Sequence, residues 1–190
     1  MKFCLGTYPA QSYVNQKVLV EPNQYILYWN YTDSDIIFEV HVKTTGWIAF
    51  GLSPNGNMIN SDMVVAWVNP DGSTHFTDRH TKDKKGLPQV DSIQNWFPIS
   101  TVIKDGVTIA KFTRKIKICD KTGEDLDIQS GTPYVIFAWG NSLVNNEISY
   151  HGSNRGSKTL PLISSLNLKP NIDMSQVETL DFKVNVIIIF

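Results

Sequence analysis

Apolar and polar residues alternate along several short stretches of the chain, and no stretch has a convincing helical apolar period. The clearest alternation is in Asp35–Lys43, where one face reads Ile-Phe-Val-Val and the other reads Ile-Glu-His-Lys. Because successive side chains of a strand point to opposite faces, this pattern predicts a strand with one face in a core and the other mostly in solvent.

Further short strands are predicted between clusters of Pro, Asn, Asp and Gly, the residues that favour turns. These strands are Gln24–Trp29, Trp47–Leu52, Met63–Val68, Thr74–Thr77, Val107–Phe112 and Tyr134–Trp139, and the clusters between them include Pro54–Gly56, Pro70–Gly72 and Lys104–Gly106. Many short strands at this spacing predict an all-β fold, an antiparallel β-sandwich of the immunoglobulin-like type.

Two connections carry a more specific prediction. In Asn69–Gly72, Pro presets a turn dihedral, Asp bonds its own backbone and Gly accepts a positive φ, so this segment should close a hairpin between Val64–Trp67 and Thr74–Phe76. Lys82–Asn95 is polar and charged, which predicts a long loop that crosses between the sheets. Long loops on rigid sandwiches often carry function.

Composition narrows the class of protein. The chain has 190 residues, enough for one well-buried domain, and 42% of them are hydrophobic and 18% charged, which argues against disorder. The formal net charge is -1 without a basic stripe, so no nucleic-acid partner is expected. The sequence lacks a nucleophile elbow, a phosphate-binding glycine loop, paired metalloprotease histidines and a CxxC pair. Its four scattered histidines do not predict a zinc site.

The two ends predict an arm and a severed strand. Residues 1–23 are interpreted as an N-terminal arm in which no signal peptide is visible. Residues 166–190 are interpreted as a linker, Asn167–Ser175, and a truncated strand that starts a following domain, and their apolar end is too short to span a bilayer. Asn30 begins an Asn-Tyr-Thr sequon, which would be glycosylated in a secreted chain.

Several separated motifs resemble one family. They are Gly46–Gly56, Met58, Ser61–Trp67, Phe76–Asp78, Ile118–Asp120, Ile136–Trp139 and Tyr150–Gly156. In this order they resemble DOMON domains of the copper type II, ascorbate-dependent monooxygenases, the dopamine beta-hydroxylase and monooxygenase-X group. The resemblance spans Tyr25–Ile163 and implies a DOMON sandwich over residues 24–165.

The resemblance implies a non-catalytic interaction and regulatory module at the N-terminus of such an enzyme. In the group, hydroxylation uses histidine pairs and a Met ligand on two later domains, so copper would be held only by domains absent from this chain. The implied partners are those copper domains and a second copy in a homodimer, in a secreted protein or the lumen of the secretory pathway. In the group, a cysteine at the position of Cys119 tethers the module by a disulfide; Cys4 is the alternative partner, and a buried free thiol is the other interpretation.

The resemblance also implies a hard-cation site at Asp62, Met63, Arg79 and Asn95. Asp62 and Asn95 would supply side-chain oxygens, and Met63 and Arg79 would supply carbonyls, a set that suits calcium or sodium. Asn95 stands where the family has a carboxylate, which weakens a divalent ion relative to a monovalent one. In the simpler interpretation, Asp62 caps a turn and Asn95 is loop surface.

Two alternative functions remain open. DOMON cytochromes have a Met after the glycine turn and a late His, and Met58 and His151 stand near those positions, so the alternative is a haem b electron-transfer module. The other alternative is a free-standing sugar- or catecholamine-binding domain. Its candidate aromatic residues are expected to be core residues first, namely Trp47, Trp67, Trp96 and Trp139.

Overall fold

The computed structural model describes residues 12–82, 86–131, 133–144 and 146–163. These residues form strands and connecting loops, and no helix among them is long and apolar enough to cross a membrane. The strands are β1 (Asn15–Val20), β2 (Tyr25–Tyr31), β3 (Asp35–Val42), β4 (Ile48–Ser53), β5 (Asp62–Val68), β6 (Thr74–His80), β7 (Gln89–Val90), β8 (Trp96–Lys104), β9 (Val107–Lys115), β10 (Tyr134–Trp139), β11 (Leu143–Val144), β12 (Glu147–Ile148) and β13 (Arg155–Thr159).

The long strands form two antiparallel sheets. One sheet has the order β1-β2-β3-β9-β8, and the other has the order β13-β10-β4-β5-β6-β7. A separate hairpin, β11–β12, follows β10. This arrangement confirms the all-β, antiparallel sandwich that the sequence pattern predicts.

The main core lies between the two sheets. On β3 every second residue is buried, as the alternation predicts. The Phe38 ring is fully buried, with its centroid 5.1 Å from that of Phe50, 5.7 Å from that of Trp96 and 5.8 Å from that of Phe112. Aromatic rings from both sheets therefore interlock at the centre of the sandwich.

The six-stranded sheet is apolar on its outer face as well. Ile48, Phe50 and Leu52 of β4 point into the main core, whereas Trp47 and Ala49 join a second buried cluster with Val65 and Trp67 of the neighbouring segment. Leu143 and Ile148 of the β11–β12 hairpin pack against this second cluster. Residues 47–52 are therefore buried on both faces of the sheet, which explains why their apolar run is continuous and does not alternate with polar residues.

The two predicted connections are as the sequence indicates. Strands β5 and β6 pair through the Asn69–Gly72 turn, in which Gly72 has a φ of 84° and its N–H donates to the Asn69 carbonyl at 2.9 Å. The loop that follows β6 in the six-stranded sheet leads to β8 in the five-stranded sheet and carries the short strand β7 on its way. The described residues of this crossing loop are 81–82 and 86–95. The loop borders the outer face of the six-stranded sheet near Leu87 and the interior of the sandwich near Asn95.

Six of the described strands have no counterpart among the predicted elements: the two-residue strands β7, β11 and β12, and the longer strands β1, β8 and β13. Strand β1 lies inside the segment interpreted as an arm, and β13 has the sequence RGSKT, without apolar alternation. Both are edge strands with few buried positions, so their sequences need few apolar residues. Strand β8 contains Pro98, and the register shifts between Pro98 and Ser100, which hides its period of two. The predicted linker and severed strand of residues 166–190 lie outside the described residues.

Replacing Phe38 by Ala is expected to lower the free energy of unfolding by roughly 3–5 kcal/mol, since it removes a fully buried ring from the inter-sheet core. Phe97 on β8 is 51% exposed, and Phe97→Ala is the control, with an expected loss below about 1 kcal/mol. Chemical denaturation measures both. Equal losses in the two variants would contradict the placement of Phe38 at the centre of the core.

Candidate functional site

A cluster of carboxylates lies at one end of the sandwich interior. Asp62 begins β5 and Asp78 lies near the end of β6, both on the face that points into the core, and Asp125 comes from the loop after β9. One carboxylate oxygen from each of the three lies within 4.8 Å of the other two, and Asp62 and Asp78 are fully buried. We call Asp62, Asp78 and Asp125 the buried acidic cluster.

Asp62 is compensated by partners from the opposite sheet. Its Oδ2 accepts hydrogen bonds from Arg114 Nη1 at 2.6 Å and from the Leu126 N–H at 2.9 Å. Its Oδ1 accepts from Trp96 Nε1 at 2.6 Å. The Arg114 side chain is completely buried, and its guanidinium carbon lies 4.5 Å from the Trp96 ring centroid. Asp62 is thus a buried cross-sheet anchor, and the turn-capping interpretation is wrong.

Asp78 and Asp125 are less well compensated. Asp78 Oδ2 accepts from the N–H groups of Asn95 at 2.7 Å and Trp96 at 3.2 Å. Asp125 Oδ2 accepts from the Asn95 side-chain amide at 2.7 Å. The Oδ1 atoms of both carboxylates are buried and find no hydrogen-bond partner in the described part of the chain. Buried carboxylate oxygens without donors are costly unless a proton or a cation neutralises them.

The surroundings change the acidity of these groups. Burial, followed by repulsion from Asp62, raises the pKa of Asp78 to about 9. Burial also raises the pKa of Asp125 to about 6. In the neighbouring Asp91, burial and then repulsion from Asp62 and Asp125 raise the pKa to about 8. One buried arginine therefore does not neutralise this end of the core.

Of the predicted cation ligands, Asp62 belongs to the buried acidic cluster and Asn95 borders it, whereas Asp78 and Asp125 were not predicted as ligands. Met63 and Arg79 were predicted to supply carbonyls, and they face each other in the β5–β6 ladder. Their side chains lie away from the cluster: Met63 lines the outer face and the Arg79 guanidinium bonds Glu147 at 3.0 Å. A signal for Asp78 was present in the sequence, since it shares a strand face with Phe76, whose ring packs against the core.

A cavity of about 750 Å³ lies on the outer face of the six-stranded sheet. Its floor consists of small apolar residues of β4, β5, β10 and β13, which are Ala49, Gly51, Val65, Ala138 and Gly156. A Cβ on Gly156 would lie 2.6 Å from the Phe137 ring, so any other residue at this position would displace that ring. Leu87 and Pro88 of the crossing loop form part of the wall. The floor leaves room for a flat apolar ligand.

Met58 and His151, the predicted haem ligands, both line this cavity. His151 Nδ1 lies 2.9 Å from the Gly152 carbonyl oxygen. A carbonyl only accepts and a guanidinium only donates, so this contact and the longer one of Nδ1 with Arg155 Nη1, at 3.4 Å, require opposite tautomers. The shorter contact places the proton on Nδ1, which leaves the lone pair of a neutral ring on Nε2. The Met58 carbonyl accepts a hydrogen bond from the Thr81 hydroxyl, which ties the Met58 segment to the end of β6.

Arg155 stands beside His151 at the cavity. Its guanidinium donates to the Tyr150 hydroxyl at 3.0 Å and to the Gly152 carbonyl at 2.7 Å, and it is exposed. Arg155 forms no ion pair among the described residues, and neutral oxygens of the preceding turn accept from its guanidinium. An exposed guanidinium at the cavity edge suits an anionic group of a ligand.

The aromatic residues and the modification sites are located as follows. Trp96 and Trp139 belong to the main core, while Trp47 and Trp67 belong to the outer cluster and Trp47 also lines the cavity. Asn30 uses its side chain to accept from the Val14 N–H at 2.7 Å and to donate to the Ser12 carbonyl at 3.0 Å. Cys119 is exposed, so the buried-thiol interpretation is wrong, and Cys4 lies outside the described residues.

The fold is an antiparallel β-sandwich that is similar to those of two solved cytochrome domains. The cytochrome domain of Myriococcum thermophilum cellobiose dehydrogenase has a TM-score of 0.60 and 15% identity, over 78% of this chain and 82% of that one. The cytochrome b domain of pyranose dehydrogenase from Coprinopsis cinerea has a TM-score of 0.54 and 14% identity, over 73% of this chain and 75% of that one. These likenesses show a shared fold.

The DOMON domain model matches residues 21–140, and the chain belongs to the DOMON domain family. MOXD1 homolog 1 of Drosophila melanogaster is 29% identical over 95% of this chain and 26% of that protein. DBH-like monooxygenase protein 1 of Homo sapiens is 32% identical over 82% and 25%, and dopamine beta-hydroxylase of Bos taurus is 28% identical over 70% and 22%. The chain spans about a quarter of the length of these relatives.

The pH dependence of stability tests the charge of the buried acidic cluster. An Asp has a pKa near 3.9 when unfolded, so the raised values of Asp78 and Asp91 mean that the folded state binds more protons between pH 4 and pH 9. Stability is then greatest at the acidic end of this window and falls as pH rises. For chelator-treated protein we expect a loss of at least about 1.4 kcal/mol from pH 5 to pH 9.

Denaturant titrations across this range measure the loss, and Asp78→Asn should flatten it because the amide does not ionise. Asp33→Asn removes a carboxylate from the exposed β2–β3 turn and should leave the slope as in the parent protein. Stability that rises with pH in chelator-treated protein would show that the cluster is compensated without a cation.

Proposed function

We propose that this chain is the non-catalytic N-terminal DOMON module of a dopamine beta-hydroxylase-like copper monooxygenase, and that it holds a structural cation in the buried acidic cluster. The oxygens of Asp78 and Asp125 that find no partner among the described residues are the main support for the cation. The relatives support the wider assignment, because three-quarters of each lies outside the matched region and has room for separate catalytic domains. We assign hydroxylation, copper and ascorbate to that remainder.

Charge and ligand type favour calcium over sodium. Three carboxylates face one compensating guanidinium, that of Arg114, and the remaining charge corresponds to one divalent ion. The Asn95 side-chain amide now donates to Asp125. Rotation of the amide exchanges its oxygen and nitrogen, so Asn95 can give up this hydrogen bond and turn its oxygen toward an ion. The carbonyls of Met63 and Arg79 stay as predicted additional ligands.

The cation would connect parts of the chain that are distant in sequence. Asp62 belongs to β5, Asp78 to β6, Asn95 to the crossing loop and Asp125 to the loop after β9. An ion bound by all four would fix two long loops against the six-stranded sheet. The surface that a parent enzyme's other domains contact would thereby become rigid, which is the structural role we propose.

Calcium is expected to raise the melting temperature of chelator-treated protein by several degrees, because it binds the folded state and not the unfolded chain. Asp125→Asn should reduce this rise to less than half, since it removes one of the three carboxylates. Asp33→Asn carries the same charge change at an exposed site and should keep the full rise. Scanning calorimetry with calcium, sodium and magnesium compares the ions.

A melting temperature that is insensitive to all three ions would contradict the cation. It would leave a plain interaction module, because the family assignment does not depend on the ion.

Haem b is a second candidate ligand, and it is favoured by the position of Met58 and His151 on one cavity. The residues present suit the group: the floor is flat and apolar, His151 Nε2 has its lone pair free, and Arg155 stands ready for a carboxylate. A Met–His axial pair would supply one-electron transfer when haem is bound. The module would then pass electrons to a partner domain instead of only supporting it.

Haem titration tests this second candidate. A cytochrome module should take up about one haem per chain and develop a Soret band, and Met58→Ala and His151→Ala should each weaken haem binding at least about tenfold. His41 on β3 is remote from the cavity lining, so His41→Ala is the matched control and should bind as the parent does. A Soret band that is unchanged in His151→Ala would contradict axial ligation by this residue.

Secretion, dimerisation and the modifications belong to the same proposal. We propose that the parent enters the secretory pathway, that Asn30 is glycosylated there, and that Cys119 forms a disulfide with Cys4 or with the later part of the parent chain. The exposure of Cys119 supports the last point. Glycosylation of Asn30 would displace its hydrogen bond to the Ser12 carbonyl.

A further inference from the structure

A second group of potential metal ligands lies beside the buried acidic cluster. His80 is on the inner face of β6, directly opposite Asp62 in the β5–β6 ladder. Asp91 follows β7, and Glu124 precedes Asp125 in the loop after β9. One ligand atom from each of His80, Asp91 and Glu124 lies within 4.8 Å of the other two. We call these residues the histidine–carboxylate group.

Two of its members are buried and keep an unused polar atom. His80 is 4% exposed and Asp91 is 6% exposed. His80 Nδ1 lies 2.7 Å from Asp91 Oδ1, but His80 Nε2 and Asp91 Oδ2 are buried and find no hydrogen-bond partner among the described residues. A buried imidazole nitrogen and a buried carboxylate oxygen both gain by binding a cation at this place.

The third member is held in position by the loops. Glu124 Oε2 accepts from the Ser92 N–H at 3.0 Å and from the Ser92 hydroxyl at 2.7 Å. The Asp120 carboxylate accepts from the N–H groups of Glu124 at 2.8 Å and Asp125 at 3.2 Å. This turn therefore fixes two consecutive acidic residues, one for each group.

Three segments of the chain each place one residue at the buried acidic cluster and another at the histidine–carboxylate group. Strand β6 gives Asp78 to the buried acidic cluster and His80 to the histidine–carboxylate group, two residues apart on one face. The crossing loop places Asn95 beside the buried acidic cluster and gives Asp91 to the histidine–carboxylate group. The loop after β9 gives Asp125 to the first group and Glu124 to the second. The two groups are neighbours that share a framework but no side chain.

We propose that His80, Asp91 and Glu124 form a second metal site, specific for a divalent transition ion such as zinc. The chemistry of the ligands separates it from the first site: an imidazole with two carboxylates suits zinc, cobalt or manganese, whereas an all-oxygen set suits calcium. Ligands of one tetrahedral zinc ion stand roughly 3.3 Å apart. The ligand atoms of the histidine–carboxylate group, which lie within 4.8 Å of one another, would therefore draw together around the ion.

The test uses the full chain, saturated with calcium so that the first site is not available, and titrated with zinc in a calorimeter. Cobalt in place of zinc reports nitrogen ligation through its visible absorption bands. His80→Asn and Glu124→Gln should each weaken zinc binding at least about tenfold. His41→Asn is the matched histidine control, and Asp125→Asn removes a ligand of the first site while keeping all three side chains of the second, so both should stay within a few-fold of the parent.

Each result of the zinc titration either supports or overturns the second metal site. Zinc binding that is unchanged in both His80→Asn and Glu124→Gln, or weakened equally in His41→Asn, would overturn the second site. Equal loss in Asp125→Asn would show one shared site in place of two. Near-UV circular dichroism checks folding, and the half-buried Glu124 gives a readout even if His80→Asn does not fold. The proposal is independent of the calcium site, because a chain insensitive to calcium can still lose zinc binding with His80.

Discussion

The buried ion pair between Asp62 and Arg114 is the interaction on which the rest of this sandwich depends. The two side chains are completely buried, 2.6 Å apart, and come from opposite sheets. Removing one partner of such a pair leaves an uncompensated charge in the core, which costs about 3–5 kcal/mol. The pair survives because Trp96 and the Leu126 N–H occupy the other lone pairs of Asp62, and the Leu126 carbonyl accepts from Arg114 at 2.7 Å. The loop after β9 is thereby fixed, and with it the positions of Glu124 and Asp125.

Strand β5 separates the two sites through the alternation of its side chains. Asp62 and Val64 point inward, to the carboxylates and the main core, while Met63 and Val65 point outward to the cavity. The polar site is deep inside the sandwich, and the apolar site is on its outside, the reverse of the usual distribution. Each site is compatible with its position, since a carboxylate cluster tolerates burial when it binds a cation, and a shallow apolar floor tolerates exposure when a ligand or a hairpin covers it.

Sequence patterns predicted the parts of this structure that have a strong period. The face of β3 and the Asn69–Gly72 turn followed directly from residue types, but β8 did not, because Pro98 and the bulge after it interrupt the alternation. For the candidate sites, the resemblance had named Asp62 and Asn95, which lie at the buried acidic cluster, and Met58 and His151, which line the cavity. It missed Asp125, His80 and Asp91, since their neighbourhood depends on how two irregular loops fold onto β6, and no local period encodes that contact. Asp78 was accessible in principle, because it lies two residues after Phe76 and so shares the strand face that packs against the core.

The crossing loop borders both the cavity and the carboxylates. Leu87 and Pro88 form part of the cavity wall, and a few residues later Asp91 and Asn95 contact the acidic end of the core. Coupling free energies between binding sites are reciprocal. To the extent that a bound cation orders this loop and thereby changes the affinity of the cavity for its ligand, a molecule in the cavity must change the affinity for the cation by the same factor. The ion would then act as an effector of the cavity through the crossing loop, without contacting the ligand that the cavity holds.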